Sequence, residues 1–146
     1  MGTKVYGSLL AAALITGVLR HQVFVKANGP ENPAAKTKLA VLWTSGDSEV
    51  AHKVCFMYTQ AAKKAQWFDE VVLIVWGPSS RLLAGDKELQ SSVKAMIASG
   101  VVVQACVACA DMYGVADTLR QMGIEVKPMG RPLSDMLKVD WKVLTF

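Results

Sequence analysis

The sequence predicts an α/β fold, in which a mostly parallel sheet of four to five strands carries helices on both faces. Short apolar runs rich in strand-forming residues alternate along the chain with longer segments of helical periodicity. Glycine and proline stand at several of the boundaries, as at Gly77-Pro78 and Gly100. Repeated strand–helix–strand connections predict parallel strands, because each helix returns the chain to the same end of the sheet.

The first strand and helix are predicted from the segment that begins LAVLWT, residues 39–44. This apolar run is followed by Ser-Gly-Asp-Ser, in which Asp47 or Ser48 supplies an N-cap for the next helix. That helix is expected over residues 49–67, because its apolar residues recur at helical spacing with lysines on the opposite side.

The remaining elements continue the same alternation. VVLIVW, residues 71–76, is apolar throughout, which is typical of a strand covered on both faces. The elements expected after it are a helix over 87–99, a strand over 101–105, a helix over 115–122, a strand over 124–127, a helical turn over 133–137 and an edge strand over 141–146.

Charge is distributed unevenly along the 146 residues, of which 19% are charged and 52% hydrophobic. Residues 1–38 hold five basic residues against Glu31 alone, whereas residues 39–146 hold eleven basic and eleven acidic residues. A nucleic-acid groove needs clustered lysine and arginine on the folded body. The neutral main part of the chain therefore predicts no nucleic-acid partner.

The first 27 residues differ from the rest of the chain. Residues 5–19 are apolar and uncharged, which fits a secretory h-region but is short of the roughly 20 residues of a spanning helix. A cleaved signal, an uncleaved anchor or surface-lying helix associated with a membrane, and a start codon assigned too early remain alternatives. Residues 28–38 form a polar linker, and residues 39–146 form a single α/β domain.

Three predicted loops lie beyond the carboxyl ends of the first three strands, where parallel α/β sheets bind ligands and place their chemistry. They span residues 44–48, 77–81 and 106–114, and the last contains Cys106 and Cys109 in a C-x-x-C motif. Other residues expected to line a crevice at this edge are Thr44, Ser45, Gly46, Asp47, His52, Gly77, Pro78, Asp111 and Tyr113.

The paired thiols have a packing interpretation and a chemical one. Free cysteine is among the most buried residue types, and Cys55, on an apolar helix, is interpreted as packing. Cys106 and Cys109 stand at a strand-to-helix junction, where the amides of a following helix would stabilise a thiolate. Asp111 opposes this effect, because a nearby carboxylate raises the pKa of a thiol unless it turns away to cap the helix.

Two other functions of C-x-x-C motifs, structural zinc binding and thioredoxin-type redox chemistry, fit this sequence less well. One such motif supplies two of the four ligands of a structural zinc site, and Cys55, His52 and His21 lack paired spacing. We therefore predict no metal site, and no motif indicates a cofactor. Thioredoxin-type redox motifs follow the first strand and commonly include a proline, whereas this one follows the third strand without it. Dithiol redox chemistry remains an alternative.

The segment CVACADMYGV, Cys106 to Val115, resembles the active-site segment of the DsrE/DsrF/TusD sulfur-relay superfamily. In that superfamily a cysteine ends the third strand, and Gly-Val or Gly-Ile follows at the same offset. The segments LAVLWTSGD, IVWGPSSRLLA and KVLTF are also similar to those of small DsrE-family proteins. The resemblance covers about Lys38 to Phe146.

The resemblance implies a flavodoxin-like three-layer sandwich that assembles into homo-oligomers, often trimers or hexamers, or into hetero-hexamers with paralogues. By position, Cys106 matches the cysteine that accepts sulfur, and Cys109 matches an accessory or resolving thiol found in some branches. Sulfur donor and acceptor proteins are the implied partners. The resemblance implies a cytoplasmic location, from which the apolar N-terminal segment departs.

The leading hypothesis is therefore a sulfur carrier that holds sulfane sulfur as a persulfide on Cys106 and passes it to a partner thiol. The alternatives are a non-catalytic oligomeric module for binding or regulation and a dithiol redox protein. The sequence leaves open whether the protein turns over as a sulfurtransferase.

Overall fold

Five strands form one sheet in which every neighbouring pair runs parallel. The strands are β1 (Lys38–Trp43), β2 (Glu70–Val75), β3 (Val102–Cys106), β4 (Glu125–Lys127) and β5 (Trp141–Thr145). Their order across the sheet is β4-β3-β2-β1-β5. The predicted α/β fold with a parallel sheet is confirmed. The final strand lies at the edge of the sheet, as expected, and the structure shows that its neighbour is β1.

The computed structural model describes residues 1–2 and 36–146. Residues 3–35 lie outside the described residues. They include the apolar residues 5–19 of the expected signal or anchor and the linker up to residue 35. Within the described ranges, no helix combines the length and the apolar character that crossing a bilayer requires.

Helical segments connect the strands. After β1, α1 (Ser48–Val50) continues through a π-helical segment (Ala51–Phe56) into α2 (Met57–Lys64). The predicted helix over 49–67 therefore ends at Lys64. The later helices are α3 (Pro78–Gly85), α4 (Lys87–Ala98), α5 (Val107–Met112), α6 (Ala116–Gln121) and α7 (Gly130–Lys138).

Two segments expected to be loops contain helices. Gly77 has φ 67° and ψ −134°, and the chain enters α3 directly afterwards with Pro78 in its first turn. Proline is well suited to that position, because its missing N–H would have no partner inside the helix and its φ is already helical. The predicted loop over 106–114 likewise contains α5. Both segments at the carboxyl edge are therefore partly helical.

The strand order assigns the helices to the two faces of the sheet. Successive steps from β1 to β4 run in one direction, so right-handed connections place their helices on one face. The step from β4 back to β5 runs the other way and places α7 on the second face. Two separate buried clusters match this division, and the smaller one contains Ala40, Val72, Ile74, Cys106, Cys109 and Met129.

The middle of the sheet carries the most buried strand. Residues Val71 to Val75 of β2 are each at most 2% exposed, because helices cover them from both sides. The continuous apolar run that predicted this strand is thus explained by burial on two faces. On the second face, Leu133 and Met136 of α7 pack against the smaller buried cluster, which contains Cys106 and Cys109.

Candidate functional site

The carboxyl ends of β1, β2 and β3 lie next to each other at one edge of the sheet. Trp43 is in register with Val75, and Val75 with Ala105, the residue before Cys106. Ser79, fully buried at the start of α3, donates from its hydroxyl to the Trp43 carbonyl at 2.6 Å and accepts from the Trp76 N–H at 3.0 Å. This side chain therefore ties the start of α3 to the ends of two strands.

Cys106 is the last residue of β3 and the N-cap of α5. Its backbone is extended, with φ −71° and ψ 116°, and its side chain makes no capping hydrogen bond to the helix. The expected contact between this sulfur and the amides of the following helix is therefore not present. Only 5% of Cys106 is exposed, and it packs in the apolar cluster on the second sheet face.

Cys109 lies one helical turn later, in α5, and is 6% exposed. Burial raises the pKa of its thiol, and a hydrogen bond with the Cys106 side chain and that sulfur's charge raise it further. The backbone amide of Gly77 acts in the opposite direction. The net effect is a raised pKa, so Cys109 retains its proton near neutral pH.

The Gly77 turn also joins the loops after β1 and β2. At Gly46, a Cβ atom would lie 3.2 Å from the Pro78 Cβ, so the first loop approaches the second closely. Gly77 in turn contacts Cys109. The contacts thus run from Gly46 through Pro78 and Gly77 to the thiol pair, and all three expected loops meet at this edge.

The remaining crevice candidates take part in other interactions. The Phe146 carbonyl accepts from the Thr44 backbone N–H at 2.7 Å, from its hydroxyl at 2.8 Å and from the Ser45 N–H at 3.3 Å. Asp47 caps the first helix, accepting from the amides of Glu49 and Val50. These three polar residues are therefore engaged in structural hydrogen bonds.

His52, Asp111 and Tyr113 are the other expected crevice residues. The His52 ring lies edge-on to Phe56, with centroids 6.3 Å apart. Tyr113 lies under the Arg81 guanidinium, 5.2 Å from the ring centroid, which joins α3 to the segment after α5. Asp111 is exposed. Asp111 lies within α5, the helix that holds Cys109, and Tyr113 is the residue directly after that helix.

Cys55 has a different environment from the C-x-x-C pair. It is fully buried in the larger core cluster, and burial raises the pKa of its thiol from 9.0 to about 12, although a hydrogen bond with Thr59 acts against this. A thiol with such a high pKa is almost entirely protonated near neutral pH and is a poor nucleophile. Cys55 is therefore a packing residue.

Residues 23–146, which include the thiol pair at the carboxyl edge, match the sequence profile of the DsrE/DsrF-like family. The chain belongs to the DsrE/DsrF-like family. Membership of this family suggests a sulfur-relay-like role. Among curated protein sequences, no match to the chain was found.

Solved structures also resemble this DsrE/DsrF-like chain. A conserved protein of unknown function from Bacteroides thetaiotaomicron is 34% identical, with a TM-score of 0.72 over 75% of this chain and 94% of that protein. The ychN protein from E. coli is 19% identical, with a TM-score of 0.59 over 75% of this chain and 99% of that protein. The second likeness establishes the fold alone.

Metal binding would need more ligands than this pair provides. Among residues 1–2 and 36–146 of the DsrE/DsrF-like chain, no group of three or more histidine, cysteine, aspartate or glutamate side chains is arranged to hold a metal ion. Both thiols belong to the smaller buried cluster of apolar side chains.

The sequence analysis missed a set of polar side chains beside Cys106, here called the polar row: Gln104, Glu125 and Lys127. Cys106 is in register with Lys127, and Gln104 with Glu125. One Glu125 oxygen, Oε2, accepts from Lys127 Nζ and from Gln104 Nε2, each at 2.8 Å. Alternation in β4 placed Glu125 and Lys127 on one face, but only the strand register shows that this face is the one with Cys106.

Proposed function

We propose that the protein is a sulfur carrier of the sulfur-relay type, which holds sulfane sulfur as a persulfide on Cys106 and passes it to a partner thiol. The contact between Cys106 and the protonated Cys109 thiol, at the carboxyl edge of the sheet, carries this proposal. The two thiols lie in the same buried cluster, and a thiolate is the attacking species in sulfur transfer. Family membership supports the same role.

The proposed reaction has two transfers. The Cys106 thiolate attacks the outer sulfur of a donor persulfide, forms a new S–S bond and releases the donor as a thiolate. An acceptor thiolate then attacks the outer sulfur of the Cys106 persulfide, takes that sulfur and leaves the Cys106 thiolate free. Each step conserves electrons within thiol–disulfide exchange and requires no separate oxidant.

Cys109 has the accessory role in this proposal. Its thiolate can attack the inner sulfur of the Cys106 persulfide, forming a Cys106–Cys109 disulfide and releasing hydrosulfide. The contact between the two side chains supports this step, because the attacking and attacked sulfurs are already adjacent. An external thiol reductant then returns both cysteines to the reduced state. The raised pKa of Cys109 keeps this release slow near neutral pH, which favours transfer to the partner.

The test is mass spectrometry after incubation with a small persulfide donor. We expect one added sulfur on Cys106 in the wild type and in Cys109→Ala, and none at this position in Cys106→Ser. Cys55→Ala is the matched control, because this variant removes a thiol from the core and leaves the pair intact. If Cys106→Ser accepts sulfur as well as the wild type, the assignment is wrong.

We further propose that the protein acts as a homo-oligomer, a trimer or a hexamer, that exchanges sulfur with donor and acceptor proteins. An exposed apolar side chain on α5, Met112 at 76%, lies three residues after Cys109 and supports a protein contact near the cysteines. Light scattering coupled to size exclusion measures the mass directly. A strictly monomeric protein at working concentration would contradict this part of the proposal.

A dithiol redox protein is the second candidate, and the hydrogen bond between the two cysteine side chains favours it. Adjacent thiols form an internal disulfide on oxidation, as redox C-x-x-C proteins do. A reduction potential near that of thioredoxin, with turnover by a reductase and no sulfur uptake from persulfides, would favour a redox function over sulfur carriage. Alkylation of Cys106 as slow as that of Cys55 would instead favour a non-catalytic binding module.

A further inference from the structure

The polar row lies on the same face of the sheet as Cys106. Lys127 is directly across from Cys106 in the parallel β3–β4 pair, and Gln104 and Glu125 form the preceding pair. Neighbouring strands are about 4.8 Å apart, and residues two apart on a strand share a face. The four side chains therefore share one face, on which Cys106 and Lys127 are cross-strand neighbours and the Lys127 ammonium group lies 2.8 Å from Glu125 Oε2.

Lys127 is held in this patch by a weak ion pair. Its ammonium group donates to Glu125 Oε2, which also accepts from Gln104. The hydrogen bond from Lys127, with a smaller contribution from Gln104, lowers the pKa of Glu125 and keeps it ionised. The Lys127 and Glu125 side chains are 33% and 56% exposed, and ion pairs this open to water contribute little to stability. Lys127 can therefore turn toward another anion nearby.

Lys127 can turn in this way from its position at the edge of the sheet. Lys127 ends β4, which is an edge strand of three residues, and solvent reaches its side chain. Cys106 is 5% exposed and belongs to a buried apolar cluster, and Lys127 is its neighbour on the β4 side. An anion that approaches the Cys106 sulfur from the β4 edge therefore passes Lys127.

We propose that Lys127 is a specificity-determining residue, whose ammonium group creates a positive potential at Cys106 and favours anionic sulfur donors such as ionised persulfides over neutral ones. While no anion is bound, Glu125 holds this ammonium group in the polar row, and Gln104 in turn donates to Glu125. The inference rests on the proposed sulfur carriage by Cys106 for its biological meaning, and its electrostatic part can be measured without any sulfur transfer.

The test compares two alkylating reagents of nearly equal size, anionic iodoacetate and neutral iodoacetamide, on Cys106 in a Cys109→Ser background. Access to the sulfur and its thiolate fraction affect both rates equally, so the ratio of the rates reports the local potential. For unit charges roughly 6 Å apart in water, Coulomb attraction corresponds to about a threefold change in that ratio. We expect Lys127→Met to lower the iodoacetate to iodoacetamide ratio by about this factor.

Two further variants separate charge from structure. Lys127→Arg keeps the charge and is expected to retain the wild-type ratio, whereas Glu125→Gln removes the competing carboxylate and is expected to raise it. Added salt should bring the wild-type ratio toward that of Lys127→Met, since screening weakens the attraction. Lys94→Met is the matched control: it removes an exposed lysine from α4, which packs on the opposite face of the sheet.

An unchanged ratio in Lys127→Met would overturn the inference, as would an equal fall in Lys94→Met or a low ratio in Lys127→Arg. These outcomes are distinct from a failure of the proposed function. If Cys106 takes up no sulfur but the ratio depends on Lys127, sulfur carriage alone is wrong. If sulfur is taken up and the ratio is indifferent to Lys127, the role of the lysine alone is wrong.

Discussion

The backbone amide of Gly77 lowers the pKa of the Cys109 thiol, although 32 residues separate them along the chain. This interaction links the turn after β2 to the helix after β3. It is also the interaction that limits how far burial raises the pKa of the Cys109 thiol. The conformation of one glycine therefore bears on both the stability of the site edge and the ionisation of an adjacent thiol.

Gly77→Ala is expected to destabilise the fold and to raise the pKa of Cys109 further. A Cβ atom at Gly77 would meet nothing within 4 Å, so the cost comes from the positive φ of 67°, about 1–3 kcal/mol. Displacement of the turn weakens the amide hydrogen bond, which now stabilises the thiolate. Urea unfolding measures the first effect, and titration of the cysteine thiols by NMR measures the second.

Gly123→Ala is the control for that experiment. Gly123 also has a positive φ, 82°, and open space around a Cβ, but it follows α6, away from the Gly77 turn. We expect a loss of about 1 kcal/mol with no change at Cys109. An unaltered Cys109 titration in Gly77→Ala would show that the glycine amide has no influence on this thiol.

Cys55 predicts a specific dependence of stability on pH. Its pKa is raised from 9.0 to about 12 in the fold, so the unfolded chain loses this proton first as pH rises. The stabilisation is therefore fully present below about pH 9 and decreases between about pH 9 and pH 12 by up to about 1.4 kcal/mol per pH unit. Cys109 acts in the same direction, because its pKa is also raised.

Denaturant unfolding of wild type and Cys55→Ala between pH 8 and pH 11 isolates the Cys55 contribution, since the other titrating groups are common to both proteins. We expect the stability difference between them to narrow as pH rises. A constant difference across this range would mean that Cys55 ionises as readily in the fold as in the unfolded chain.

Cys109→Ala is expected to extend the lifetime of a persulfide on Cys106. The variant removes the adjacent thiol that, in the proposed mechanism, releases hydrosulfide by forming the internal disulfide. Hydrosulfide release after loading with a persulfide donor should fall to the background level of Cys106→Ser, while the sulfur bound to Cys106 persists. Release at the wild-type rate in Cys109→Ala would remove Cys109 from the resolving step. Cys55→Ala serves as the control and should match the wild type.

Ser79→Ala is expected to cost about 1–3 kcal/mol of unfolding free energy, because the hydroxyl is fully buried and bonds to the Trp43 carbonyl and the Trp76 N–H. The matched variant is Ser91→Ala on α4, whose exposed hydroxyl donates only to the Lys87 carbonyl at 3.0 Å. That change should lie within about 0.5 kcal/mol of wild type. Equal effects in the two variants, measured by chemical denaturation, would show that Ser79 does not anchor α3.

The order of strands and helices followed from local signals. VVLIVW predicted a strand buried on both faces because no polar residue interrupts it, and Val71 to Val75 are indeed buried. Gly77-Pro78 predicted the end of that strand but hid the helix that begins at Pro78. The same dipeptide marks a loop or a helix start, and which one forms depends on the packing of the residues that follow.

The sequence by itself determined the α/β class, the parallel sheet and the presence of a C-x-x-C pair at its carboxyl edge. Tertiary structure alone decided which partners each side chain has there. Thr44 and Ser45 bind the Phe146 carbonyl, Gly77 reaches Cys109, and Lys127 lies across from Cys106. Local periodicity is encoded within a few residues, whereas these pairings depend on strand order and register, and a register shift of one residue would move Lys127 to the other face.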